Sequence, residues 1–134
     1  MEIGGIINQY LDEASIDTNL DRLEVTSTQE QLIANKHKWS ARLINHKINL
    51  NKFKFERSSL IDQYITDYQD KEPVRVNRSI AEKAVQNKKE IKIIDQKIQN
   101  EILIISFLEN IYKNISFATN DIKNLIELMK LETQ

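Results

Sequence analysis

The stretch STQEQLIANKHKWSARLINHKINLNKFKFERSSLIDQYITDY, from Ser27 to Tyr68, contains neither glycine nor proline and decides the fold. It opens on Ser27-Thr28-Gln29-Glu30, a capping box in which the serine oxygen and the glutamate carboxylate satisfy free amides at a helix start. Its seam then runs Trp39, Leu43, His46, Leu50, Phe53, Arg57, Leu60 or Ile61, Tyr64 and Tyr68, alternating by four and three. That heptad-like period predicts one uninterrupted helix, a rod roughly 60 Å long at 1.5 Å per residue.

The same stretch is lopsided in charge. Lys36, Lys38, Arg42, Lys47, Lys52, Lys54 and Arg57 face a single acid, Glu56, between positions 36 and 57. Upstream the bias reverses, with Glu2, Asp12, Glu13, Asp17, Asp21, Glu24 and Glu30 against Arg22 alone. The formal net charge of −1 therefore hides a cationic stripe beside an anionic arm. A concentrated stripe on a helix is a common way to hold a polyanion.

Outward from this helix, Ile3, Ile6, Ile7, Tyr10, Leu11 and Ala14 predict a short amphipathic helix after or around Gly4-Gly5. Ser15–Asp21 is turn-like and Leu20–Val25 an apolar–acidic linker. Downstream, residues 69–77 hold Pro73 and form the one clear loop. Ser79-Ile80-Ala81-Glu82 is a second capping box. A second long helix follows, with Val85, Ile91, Ile94, Ile98, Ile102, Ile105, Leu108, Tyr112 and Ile115 on one face. Ile93, Leu103, Ile104, Phe107 and Ile111 widen that face. Ser116–Asp121 is a weak interruption, after which Ile122, Leu125, Ile126 and Met129 continue the pattern. The 134 residues thus divide into an acidic arm (1–26), a basic long helix (27–69), a loop (70–78) and a second helix with a carboxyl-terminal oligomerisation segment (79–133) of one all-α domain.

A hairpin of two helices leaves the face from Leu103 to Ile111 uncovered, and exposed apolar patches of that size mark association surfaces. The expectation is a homo-oligomer whose interface includes Ile98, Ile102, Ile105, Leu108, Tyr112 and Ile115. A packed bundle, with the terminal segments folded back over the hairpin, is the competing arrangement. It is disfavoured because those segments are short.

Catalytic chemistry finds no foothold. The absence of cysteine excludes disulfides and thiolate metal sites. His37 and His46 fall near opposite faces of one helix, and His46 lies in the seam as a packed or interface residue. The two glycines both lie at the amino end, so no phosphate loop can form. Asp12-Glu13 reads as solvated charge on a polar face. No cofactor, metal or enzyme activity is expected. Met1–Leu11 lacks the basic start and apolar run of a signal peptide, and no stretch could span a bilayer, so a soluble protein of the cytoplasm is expected.

At about 100° per residue Lys36, Lys47 and Lys54 fall in one line, with Lys38, Arg42 and Lys52 on an opposite flank. The ordinary reading is a solvated face with snorkelling lysines. Against it, the alternating carboxylates that would pair lysines at i+4 are missing, and an oligomer would multiply weak contacts. Trp39 and Phe53 lie on the seam and belong to the core. Phe55 is off it and is the better stacking residue for a nucleic-acid base.

Two segments resemble the UvsY-type recombination mediators of tailed bacteriophages. The first is Leu11-Asp12-Glu13-Ala14-Ser15-Ile16-Asp17-Thr18-Asn19-Leu20, followed by Lys38-Trp39. The second runs from Lys89-Glu90-Ile91-Lys92-Ile93-Ile94-Asp95 through Phe107 and Ile115 to Ile122-Lys123-Asn124 and Glu132. The resemblance implies a non-enzymatic protein of the host cytoplasm. It would form six- or seven-fold rings, bind single-stranded DNA, contact the phage single-strand-binding protein and help load a RecA-like recombinase. The chain departs from the family pattern twice. Phe117-Ala118-Thr119-Asn120 replaces a Ser-Arg-Gly-Phe-like turn, and Leu60-Ile61-Asp62-Gln63-Tyr64-Ile65 lacks the family's Lys and Arg. On this resemblance the DNA-binding charge has moved to Lys47, Lys52, Lys54 and Arg57, within a candidate set of Lys36, Lys38, Arg42, Lys47, Lys52, Lys54, Phe55 and Arg57. The rival reading is a structural coiled-coil adaptor or assembly chaperone whose lysines only solubilise it.

Overall fold

The computed structural model describes residues 2–18 and 25–133. Among them are four helices and no strand: α1 (Ile3–Asp17), α2 (Val25–Lys71), α3 (Arg78–Val85) and α4 (Lys89–Glu132). The chain is all-α, as its periodicity predicts. α2 begins at Val25, so Ser27 lies inside the first turn and is not its cap. The turn expected over Ser15–Asp21 also gives way to helix as far as Asp17, and residues 19–24 lie outside the described ones. α2 ends where Pro73 approaches, because proline supplies no amide and disfavours the helical conformation of Glu72 before it.

The second long helix is broken where none was expected, over Gln86–Lys88. Phase explains the break. On one continuous helix Val85 and Ile91 would point about 120° apart, yet both are buried. Three non-helical residues reset the rotation. The helix also starts at Arg78 rather than Ser79, because Asn77 is the cap: its side chain accepts the Ile80 amide at 3.0 Å. The interruption expected at Ser116–Asp121 is absent. Ser116 and Thr119 instead donate to the carbonyls of Tyr112 and Ile115, at 3.0 and 2.8 Å, and ride on the helix.

The chain forms two compact units, Met1–Asn45 with Ile104–Gln134, and His46–Leu103. In the first, Leu32 clusters with Ala118 and Ile122, whereas Trp39 clusters with Ile104, Leu108, Ile111 and Ile115, so α2 and α4 run antiparallel. α1 folds back over this pair through Ile3, Ile6, Tyr10 and Ala14. Fifteen residues are enough, contrary to the expectation from their shortness, because four residues at helical spacing supply a third apolar stripe. In the second unit the pairing is again antiparallel, with His46 on Glu101, Lys97 over Phe53 and Arg57 on Asp95. α3 closes it, burying Ala81 and Val85 with Ile65 beside Ile61, Tyr64 and Tyr68.

The chain itself covers much of the face that was assigned to other copies. Leu108 and Ile115 are fully buried, Ile98 and Ile105 nearly so, and Tyr112 half so. Ile102 and its neighbour Leu103 stay exposed, as do Leu128, Met129 and Leu131 near the carboxyl end.

Candidate nucleic-acid interface

The structure divides the basic residues of α2 by what they touch. In the first unit Lys38 and Arg42 are bound to α1. Lys38 Nζ lies 2.6 Å from Asp17 and 3.5 Å from Glu13, and Arg42 Nη1 donates to Glu13 at 2.7 Å. Glu13 and Asp17 are four residues apart, one turn of α1, so one face presents both carboxylates. Asp17 also accepts the Trp39 indole N–H at 2.8 Å, and its backbone carbonyl meets the Asn35 amide at 3.4 Å. A carboxylate at a helix carboxyl end is disfavoured by the helix dipole, and the cations of α2 offset it. The Arg42 hydrogen bond, with the charges of Arg42 and Lys38, holds the Glu13 carboxyl below the usual glutamate range.

Arg42 further stacks on Trp39 and Tyr10, at 4.7 and 5.1 Å from the ring centres, and Lys38 lies 5.3 Å from that of Trp39. Tyr10 meets Trp39 edge-on at 5.6 Å. These two cations fasten α1 to the core. Lys36 is half-buried with its ammonium 5.5 Å from the Tyr112 ring. Sequence reasoning missed Glu13 and Asp17 because it sought partners at i+4 on α2, while the partners arrive from another helix. Asp12 is exposed as expected; Glu13 is not merely solvated.

In the second unit Arg57 bonds Asp95 at 2.5 Å. It also lines a cleft of about 360 Å³ with Ser58, Ile61, Asp62, Arg78, Glu82 and Gln86. Arg78 pairs there with Asp62 at 2.6 Å and Glu82 at 3.1 Å, and the Asp62 hydrogen bond raises the arginine's already high pKa. With its two arginines matched by carboxylates, the cleft has no excess charge to hold an anion. His46, in the seam as expected, meets Glu101 at 2.7 Å, both side chains largely covered. Trp39 is fully buried and Phe53 half-buried, in keeping with their seam positions.

Lys47, Lys52, Lys54 and Phe55 remain on the surface, Phe55 at 74% exposure. Among the described residues Lys52 and Lys54 make no ion pair, and no cluster of residues could hold a metal ion. No helix is long and apolar enough to cross a membrane.

Comparison by sequence matches no family model and no curated protein. Comparison by structure finds the recombination mediator protein UvsY of bacteriophage T4. One crystal form superposes with a TM-score of 0.76 at 13% identity, over 94% of this chain and 98% of that one. A second gives 0.74 at 13% identity, over 95% and 97%. The chain has the UvsY fold. The likeness spans nearly the whole of both proteins rather than one shared hairpin.

Proposed function

We propose that this chain is a recombination mediator. It binds single-stranded DNA and promotes loading of a RecA-like recombinase in place of the phage single-strand-binding protein, without catalysing a reaction itself. The observation that carries this reading is the end-to-end likeness to the T4 mediator. The exposed lysines of α2 supply the charge such a role needs. Cations already bound to α1 or α4, namely Lys38, Arg42 and Arg57, contribute less, because their charge is matched within the chain. The working form is a homo-oligomeric ring of six or seven subunits in the host cytoplasm. Subunits meet through α4 surfaces left exposed by the single chain, among them Ile102 and Leu103. Repetition around a ring sums weak phosphate contacts into useful avidity.

The test is recombinase filament growth on single strands coated beforehand with the phage single-strand-binding protein. Added chain should shorten the lag before growth. An unchanged lag, with no affinity for bare single strands, would leave the structural-adaptor reading in its place.

A further inference from the structure

Phe53 and Arg57 face α4 in the unit His46–Leu103, and the opposite side of α2 carries an ordered band. Ile48 and Phe55 are 56% and 74% exposed. Seven residues apart, they fall within about 20° of one line and about 10.5 Å apart along the axis. Exposed Asn51 lies between them. Lys47 and Lys54 repeat the same spacing along one edge, and Lys52 borders the other, about 60° from Phe55. Glu56 is the one carboxylate nearby, on the Lys52 edge, and no ion pair joins it to Lys52.

A single exposed phenylalanine is ordinary on a protein surface. Two large apolar side chains in register, with an amide between them and cations along both margins, make a different surface. It is apolar along the middle and positive at the rim. A second copy of this face would bring lysines against lysines, which opposes self-pairing. A polymer with flat apolar faces on a negative backbone fits both parts at once.

We propose that Ile48, Asn51 and Phe55, bordered by Lys52 and Lys54, form a base-contact surface for single-stranded nucleic acid. Phe55 stacks on a base and the lysines hold the flanking phosphates. The proposal rests on the nucleic-acid reading above and adds that bases, not phosphates alone, are gripped.

The experiment titrates the full chain with labelled oligothymidylate and with an abasic oligonucleotide of equal length, at several salt concentrations. Stacking should favour oligothymidylate by about tenfold. Phe55→Ala, checked for unchanged helicity by circular dichroism, should erase that preference and leave the salt slope intact. Phe55→Trp should restore it, and the exposed indole should be quenched by oligothymidylate while the buried Trp39 is not. Equal preference in Phe55→Ala and the unaltered chain overturns this proposal and leaves phosphate-based binding standing. No binding of either oligonucleotide overturns the nucleic-acid reading itself. A fall in molar mass by light scattering in Phe55→Ala would assign the face to a second copy and overturn the proposal.

Discussion

Replacing Trp39 with alanine removes the largest fully buried side chain, at the point where α1, α2 and α4 meet. Its indole packs in a cluster with Ala14, Ile104, Leu108, Ile111 and Ile115, takes Tyr10 edge-on and donates to Asp17. Burying about 200 Å² of aromatic surface at about 25 cal/mol per Å² gives ~5 kcal/mol. Large-to-small core substitutions of this kind cost about 3–5 kcal/mol. That is a large share of the roughly 5–15 kcal/mol that holds a domain folded. Trp39→Phe separates packing from polarity: most of the ring stays, and the lost N–H costs about 1 kcal/mol, because Lys38 still pairs with Asp17. Urea unfolding followed by far-ultraviolet circular dichroism, at fixed protein concentration, reads both variants. With a slope of about 1–3 kcal/mol per molar urea, alanine should lower the midpoint by about 1 M or more and phenylalanine by well under that. A midpoint unchanged by alanine would refute the three-helix core. In the unaltered chain Trp39 emission should be blue-shifted and barely quenched by oligonucleotide.

The clamp on α1 is acid-sensitive. The folded-state pKa of Glu13 is depressed, so its contribution is complete above the unfolded-state value and fades as pH falls through the folded one. Glu13→Gln should therefore be less stable than the parent by up to about 1 kcal/mol near pH 7, with the difference closing in acid; a gap that persists there contradicts the assignment. Asn77→Ala should cost about 1 kcal/mol and speed hydrogen exchange at the Ile80 amide, which the side chain now holds. Leu103→Glu, at a position 53% exposed, should preserve helicity yet yield smaller particles by light scattering; an oligomer of unchanged size would remove this stretch of α4 from the interface.

Much of this architecture is legible in the sequence because it is periodic. The three-and-four alternation through Trp39, Leu43 and Leu50 gives α2 and its buried side, and Pro73 marks where it stops. What the period could not supply is the partner of each face. Lys38 and Arg42 look unpaired when only α2 is read, since their carboxylates lie on α1, 21 to 29 positions earlier in the chain. The same blindness assigned Leu108 and Ile115 to neighbouring copies, although α1 and α2 cover them. The break after Val85 was implicit in the phase between Val85 and Ile91, but it becomes visible only once both are known to be buried. Asn77 outcompeted Ser79 as a cap although both are good capping residues, because helix α3 starts two residues earlier than the Ser79 box requires.

The salt dependence of single-strand affinity tests the account most directly. Each phosphate contact contributes about −0.7 to the slope of log affinity against log salt. Lys52→Ala with Lys54→Ala should weaken binding to every sequence alike and flatten the slope by about 1.4, with assembly unchanged because both side chains are exposed. The matched control is Lys123→Ala with Lys130→Ala, which removes the same charge from the far end of α4 and should leave the slope nearly as it was. Equal losses from the two pairs would contradict the account, because binding would then follow diffuse charge rather than this face of α2.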